Sequence, residues 1–198
     1  MNKILKRIAV VYKLIKEIKR QYPNIQIGKR VIQSMMYLLD RKLKLDLGFS
    51  MYHYGPQSAQ VSHFLNLIED RGIIDMQWSV ENGYSISLKG NKKTSFIIKE
   101  FEENLDEKER IIIKEIAQKY GGLGPITLFI ITTALFTKEN FGVKNDTKLI
   151  DIVYSLRPGY PKDYIKRTLE SASVISVGKR RGEYVQKKKM ELYRKRVY

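Results

Sequence analysis

The chain has 198 residues, no cysteine, two histidines and a formal net charge of +16. That length buries a real core, in one large domain or two small ones, and an ordinary apolar fraction of 43% excludes a disordered chain. Absence of cysteine excludes disulfides and thiolate metal sites, and no run nears the roughly 18 apolar residues of a membrane span.

The charge is unevenly placed. Lys3, Lys6, Arg7, Lys13, Lys16, Lys19, Arg20, Lys29 and Arg30 stand against Glu17 alone in residues 1–30. Lys179, Arg180, Arg181, Lys187, Lys188, Lys189, Arg194, Lys195 and Arg196 stand against Glu183 and Glu191 in residues 174–198, so the two ends carry +8 and +7. Such concentration is expected of a surface for a polyanion, nucleic acid first. General Lys/Arg enrichment of the thermophile kind is the bland alternative. The N-terminus interrupts its apolar residues with lysine too often for a signal peptide, so a cytoplasmic location is expected.

Residues 2–21 read as an amphipathic helix with a heptad seam at Ile4, Ile8, Val11, Ile15 and Ile18. The seam suits either its own domain's core or a dimer contact. Residues 28–41 read as a second helix so apolar that only Lys29, Arg30 and Gln33 remain for solvent or a phosphate. Residues 42–48 are a polar connector. From Phe49 to Tyr54 apolar and polar residues alternate as in a strand, which Gly55-Pro56 is expected to end as a turn. Residues 57–71 carry Val61, Phe64, Leu65 and Ile68 at helical spacing, with Gly72 as the stop. The runs 73–80 and 84–88 flank a hairpin signal at Asn82-Gly83. A helix leading through a glycine into a hairpin is the second half of a winged helix-turn-helix.

These residues carry a resemblance. Gly28 to Leu39, then Phe49-x-x-Tyr52-x-Tyr54-Gly55-Pro56-x-Ser58, then Phe64 to Leu67 with Gly72-Ile73-Ile74, resemble the YwgA-like family of small bacterial and archaeal proteins. More distantly they are similar to the Panacea antitoxin domain. The resemblance covers residues 27–90, departs at Gln57 (usually aromatic) and Ser34 (commonly lysine), and implies a winged-helix fold without fixing an activity.

Beyond the hairpin, Lys89, Lys92 and Lys93 make a basic end suited to phosphate contact or to a solvated turn. Residues 94–105 are expected to be helical. Asp106 with Glu109 has the spacing of a capping box, opening a helix to Tyr120. Gly121-Gly122-Leu123-Gly124-Pro125 lacks the Lys-Ser/Thr of a phosphate loop and reads as cap and linker. Pro125 to Phe141 is a strongly apolar helix. Residues 147–156, a turn at 157–161 and a helix at 161–173 follow, with Pro161 suited to the first helical position. Residues 174–186 read as a hairpin with a cationic tip, and 187–198 as a basic tail. The fold expected is mainly α with small hairpins (α+β). It comprises a winged-helix domain at 1–93 and a helical domain at 94–186, the latter in the element order of a second winged helix.

Two surfaces are candidates for double-stranded DNA. The helix after the turn offers Gln57, Ser58, Gln60, Ser62, His63 and Asn66, whose amides suit adenine edges, but it has no cation before Arg71. Lys162, Lys166 and Arg167, with Lys179, Arg180 and Arg181 on the second hairpin and Lys187, Lys188 and Lys189 in the tail, are electrostatically the better surface. No catalytic or metal constellation accompanies His53 and His63, and a structural hydrogen bond is expected of His53. The expectation is therefore a non-enzymatic transcriptional regulator without cofactor, binding DNA as a homodimer. The alternatives are an antitoxin-like module with a protein partner, or an RNA-binding accessory protein.

Overall fold

A computed structural model describes residues 3–81, 83–90 and 93–176. Among these it is mainly helical, with eight α-helices and two small antiparallel two-stranded sheets. The helices are α1 (Lys3–Gln21), α2 (Lys29–Leu43), α3 (Ala59–Asp70), α4 (Ser95–Glu103), α5 (Glu107–Tyr120), α6 (Pro125–Phe141), α7 (Asp146–Leu156) and α8 (Lys162–Ser171). The strands are β1 (Ser50–Tyr52), β2 (Gly55–Gln57), β3 (Ile74–Ser79) and β4 (Gly83–Leu88).

Most of the α1 seam packs on its own core, although Ile4 at its start is 57% exposed and Ile8 is half-buried. Val11, Ile15 and Ile18 are fully buried, and α1 packs on α5, α4 and α3. Its basic face is matched internally. Lys13 and Lys16 meet Glu102, Lys6 meets Glu109, Arg20 meets Glu17, and Arg7 donates to the Leu45 carbonyl at 2.7 Å. The N-terminal half of the supposed polyanion footprint is thus largely an ion-pair network holding α4 and α5 to α1.

The Gly55-Pro56 turn is a correction. Gly55 and Pro56 lie in a strand, β2, which pairs with β1 in the register Tyr52↔Gly55 and Ser50↔Gln57, so the reversal falls at His53-Tyr54. Gly55 adopts φ +96, and a Cβ there would sit 3.2 Å from the Phe129 ring and 3.3 Å from Thr133 Oγ1. Only a residue without a side chain brings β2 this close to α6. The short hairpin is therefore wedged between α2 and α6.

Ser58 caps α3, accepting from the Val61 N–H, and Gly72 (φ +69) ends it. The Ile73 N–H then donates to the Ile68 carbonyl at 2.9 Å, satisfying one of the last free carbonyls of α3. The β3–β4 hairpin follows in the register Trp78↔Tyr84 and Ser79↔Gly83. The extended chain before α2 lies along β4: the Ile86 N–H donates to the Ile27 carbonyl at 2.8 Å.

The larger core cluster runs from α1 and α2 through Ile113, Ile116 and Ala117 of α5 to Leu128 and Phe136 of α6, crossing the boundary expected at 93–94. A second cluster joins α6 to Leu149, Val153, Ile165 and Leu169. Asp106 and Glu109 form the capping box, with backbone-to-carboxylate hydrogen bonds of 2.8 and 3.1 Å. Gly121-Gly122 is a seat for the Tyr22 ring, whose hydroxyl donates to the Gln118 carbonyl at 2.7 Å. Pro161 precedes α8 as its N-cap rather than opening it. Residues 174–176 form no strand, with Val174 and Ile175 buried on the second cluster, and the rest of the expected hairpin and tail lies outside the described residues. No single helix among the described residues is long and apolar enough to cross a membrane.

Candidate nucleic-acid interface

The first candidate surface shrinks once α3 is in place. Ser58 is 1% exposed, so it is a cap and not a base contact. Gln33, offered to solvent by sequence, is also buried and donates to the Ser58 carbonyl at 3.0 Å and to Ser62 Oγ at 2.9 Å. Gln60 accepts from Arg7 at 3.0 Å, and Gln57 is a half-buried strand residue of β2. His63 and Asn66 remain exposed on α3 with no hydrogen bond among the described residues. His53 makes no structural hydrogen bond there either. It sits exposed in the turn with its ring edge-on to Tyr54 at 5.3 Å.

Two of the expected phosphate contacts are ion-paired. Lys89 meets Asp75 at 2.7 Å, and that hydrogen bond holds the Asp75 carboxyl below its usual range. Lys162 meets Asp151 at 2.6 Å, and the same kind of bond raises the lysine. Lys93, Lys166 and Arg167 are exposed, the last with its side chain turned back to the Asp163 carbonyl at 3.3 Å. Lys92, Lys179, Arg180, Arg181, Lys187, Lys188 and Lys189 lie outside the described residues.

A different constellation gathers at the N-terminus of α2. Lys29 Nζ lies 4.0 Å from the Tyr84 ring centroid, and Arg30 stacks 3.8 Å from that of Tyr54. Arg157, from the turn after α7, approaches the same Tyr54 ring at 4.3 Å. Trp78, directly opposite Tyr84 in the hairpin, is 62% exposed, and Val80 beyond it is 85% exposed. The apolar face of the hairpin thus begins buried at Ile74 and Ile86 and continues out of the core. Aromatic rings beside unpaired cations are suited to stacking and charge together.

Sequence reading singled out Lys29 and Arg30 but missed Arg157, Tyr84 and Trp78 as their companions. A two-residue turn at Asn82-Gly83 would set Trp78 opposite Ser87, but Gly83 lies in β4 opposite Ser79, so the Trp78–Tyr84 pairing was not legible in that spacing. No linear spacing brings residue 157 to residue 30. Among the described residues, no group of three or more His, Asp or Glu side chains converges as a metal site requires. No family model matches the chain, and no curated protein is significantly similar to it.

Proposed function

We propose that this is a DNA-binding protein of the winged helix-turn-helix kind, acting as a transcriptional regulator. The observation that carries the reading is the element order together with one hydrogen bond. α1, an extended segment at 26–28, α2, the inserted β1–β2 hairpin, α3 and the β3–β4 hairpin follow one another, and the Ile86-to-Ile27 bond sets that segment against the β3–β4 hairpin as a third edge. In a winged helix the helix before the wing reads the groove while the preceding helix crosses the backbone. Here α3 offers His63 and Asn66 for base edges, and the uncapped N-terminus of α2 offers Lys29 and Arg30 for phosphate. The resemblance of residues 27–90 to the YwgA-like family favours the same reading, and the cationic residues 179–189 add to the charge.

The homodimer belongs to this proposal, with its contact largely elsewhere than the α1 seam, of which only Ile4 stays exposed. Exposure of Trp78 and Val80 favours a second reading, a module that docks a protein partner through the hairpin. Fluorescence anisotropy on duplex DNA, single-stranded RNA and random competitor across a salt series separates them. A regulator keeps a large preference for one duplex site while affinity falls steeply with salt. Equal binding to every sequence sinks the regulator, and no binding near physiological salt leaves the partner-docking reading.

A further inference from the structure

We propose that Arg30, Arg157, Tyr54 and Ser34 form a binding site for a phosphoryl group, whose ester partner lies in the adjoining groove walled by Tyr84 and Trp78. The ligand class is a nucleotide or another phosphorylated aromatic.

The cavity between α2, the β1–β2 turn and the start of α6 measures about 90 Å³ and is lined by these four residues with Pro125, Ile126, Phe129 and Tyr160. That space admits several waters or one small tetrahedral oxyanion. Its two arginines differ from Arg7, Arg20 and Arg41, each of which faces a carboxylate. Arg30 and Arg157 face none among the described residues, although both stand against one tyrosine ring. Both guanidinium groups line one cavity, where a bound anion would offset their like charge. Neither side chain makes a hydrogen bond among the described residues, so their N–H groups are available for donation to phosphate.

Two features converge on the same cavity. Ser34 is 5% exposed and lines the cavity, and its side chain makes no hydrogen bond among the described residues, so its hydroxyl is available to a ligand there. The first turn of α6, a 17-residue helix, begins at Gly124-Pro125 with no side-chain cap, and its Pro125 and Ile126 line the cavity at the positive end of the helix. The neighbouring groove, about 680 Å³, shares Arg30 and Pro125 with the cavity and is lined by Lys29, Trp78, Val80 and Tyr84. That volume is within the roughly 300–1,000 Å³ of small-molecule sites, and its rings offer a stacking wall.

The inference does not require DNA binding. The phosphoryl group could come from a free nucleotide or from a nucleic-acid backbone, and the test separates these sources. Calorimetry on the full chain uses inorganic phosphate and adenosine monophosphate, with circular dichroism to establish that each variant is folded. AMP is expected to bind at least about tenfold tighter than phosphate, since the base adds stacking. Arg157→Gln weakens both by at least roughly tenfold, and Ser34→Ala weakens both more mildly. Trp78→Ala weakens AMP alone. A duplex of about 20 base pairs is then added in competition. Displacement of AMP assigns the phosphate to a nucleic-acid backbone, and simultaneous binding assigns it to a free ligand. Should neither phosphate nor AMP bind at about 10 mM, or should a folded Arg157→Gln keep both affinities, the site is overturned whatever the DNA result.

Discussion

Gln33 and Ser58 exchange a reciprocal pair of hydrogen bonds between α2 and the start of α3. The Gln33 amide donates to the Ser58 carbonyl at 3.0 Å, and the Ser58 N–H donates to Gln33 Oε1 at 2.9 Å. Both residues are buried, and Ser58 Oγ also donates to the Leu47 carbonyl. One polar pair thereby joins α2, the 44–49 connector and α3. Ser58→Ala removes a cap and orphans a buried carbonyl, and a loss of about 1–3 kcal/mol is expected in urea unfolding. Gln33→Leu strands the buried Ser58 N–H, while the Ser58 carbonyl keeps the Ser62 N–H at 3.3 Å, and a similar loss is expected. Stability within about 0.5 kcal/mol of the parent for both variants contradicts this role.

Gly55→Ala is expected to destabilise the chain by on the order of 1–3 kcal/mol, because it adds positive-φ strain to a clash with Phe129. The wedge of β2 against α6 then loosens, so near-ultraviolet circular dichroism should change along with the melting temperature. Gly90→Ala, where a Cβ meets nothing within 4 Å, is the matched control.

Acid sensitivity follows from Glu102. Burial by itself raises its pKa, but hydrogen bonds from Lys16 at 2.8 Å and Lys13 at 3.1 Å outweigh burial and hold the carboxyl below its ordinary range. A depressed folded-state value contributes stability that is complete above the unfolded value of about 4.3 and is lost as pH falls through the folded value. Urea midpoints should therefore fall as pH drops from about 6 to about 3. Glu102→Gln should be less stable than the parent at the upper pH and draw level with it at the lower. A variant with the parent's full pH slope would assign that slope elsewhere, Glu17 first, whose carboxyl Arg20 likewise helps to hold down against burial.

Salt dependence should divide the basic residues. Lys13→Gln and Lys16→Gln remove charges already matched by Glu102, so they should lower stability and leave the slope of DNA affinity against salt unchanged. Removal of residues 187–198 should flatten that slope without changing site preference, each lost phosphate contact reducing it by about one. A slope that flattens with Lys13→Gln would return α1 to the interface.

Asn66→Ala and His63→Ala test the reading face of α3. Both residues are exposed and outside the core, so stability should hold within about 0.5 kcal/mol. Preference for the best duplex site should fall by roughly 1–3 kcal/mol for Asn66→Ala, the worth of a bidentate contact to a base. Unchanged discrimination in both variants would remove α3 from the groove.

Local chemistry was legible wherever it was complete within a few residues. Pro125 and Phe141 bound α6 as read, the Asp106–Glu109 box forms, and Gly72 ends α3, because caps and stops act over one turn. The Gly55-Pro56 reversal was misread because a tight turn and a glycine needed for close approach to α6 have the same local signature. The supposed solvent face of α2 failed for a similar reason. Gln33 has no hydrophobicity to mark it as buried, and only the arrival of Ser58 completes its hydrogen bonds.

Charge was where composition and structure parted furthest. By itself the sequence determined most helical segments, the existence of the β3–β4 hairpin, the Asp106–Glu109 capping box and the excess of cations, since each depends on neighbours in the chain. Tertiary packing alone decided which cations are spent. Lys13 and Lys16 meet an acid 86 or more residues away, whereas Arg30 and Arg157 meet a tyrosine ring and no acid among the described residues. Electrostatic energy depends on distances in space, and those distances are set by how α1, α2 and α6 bury their apolar faces.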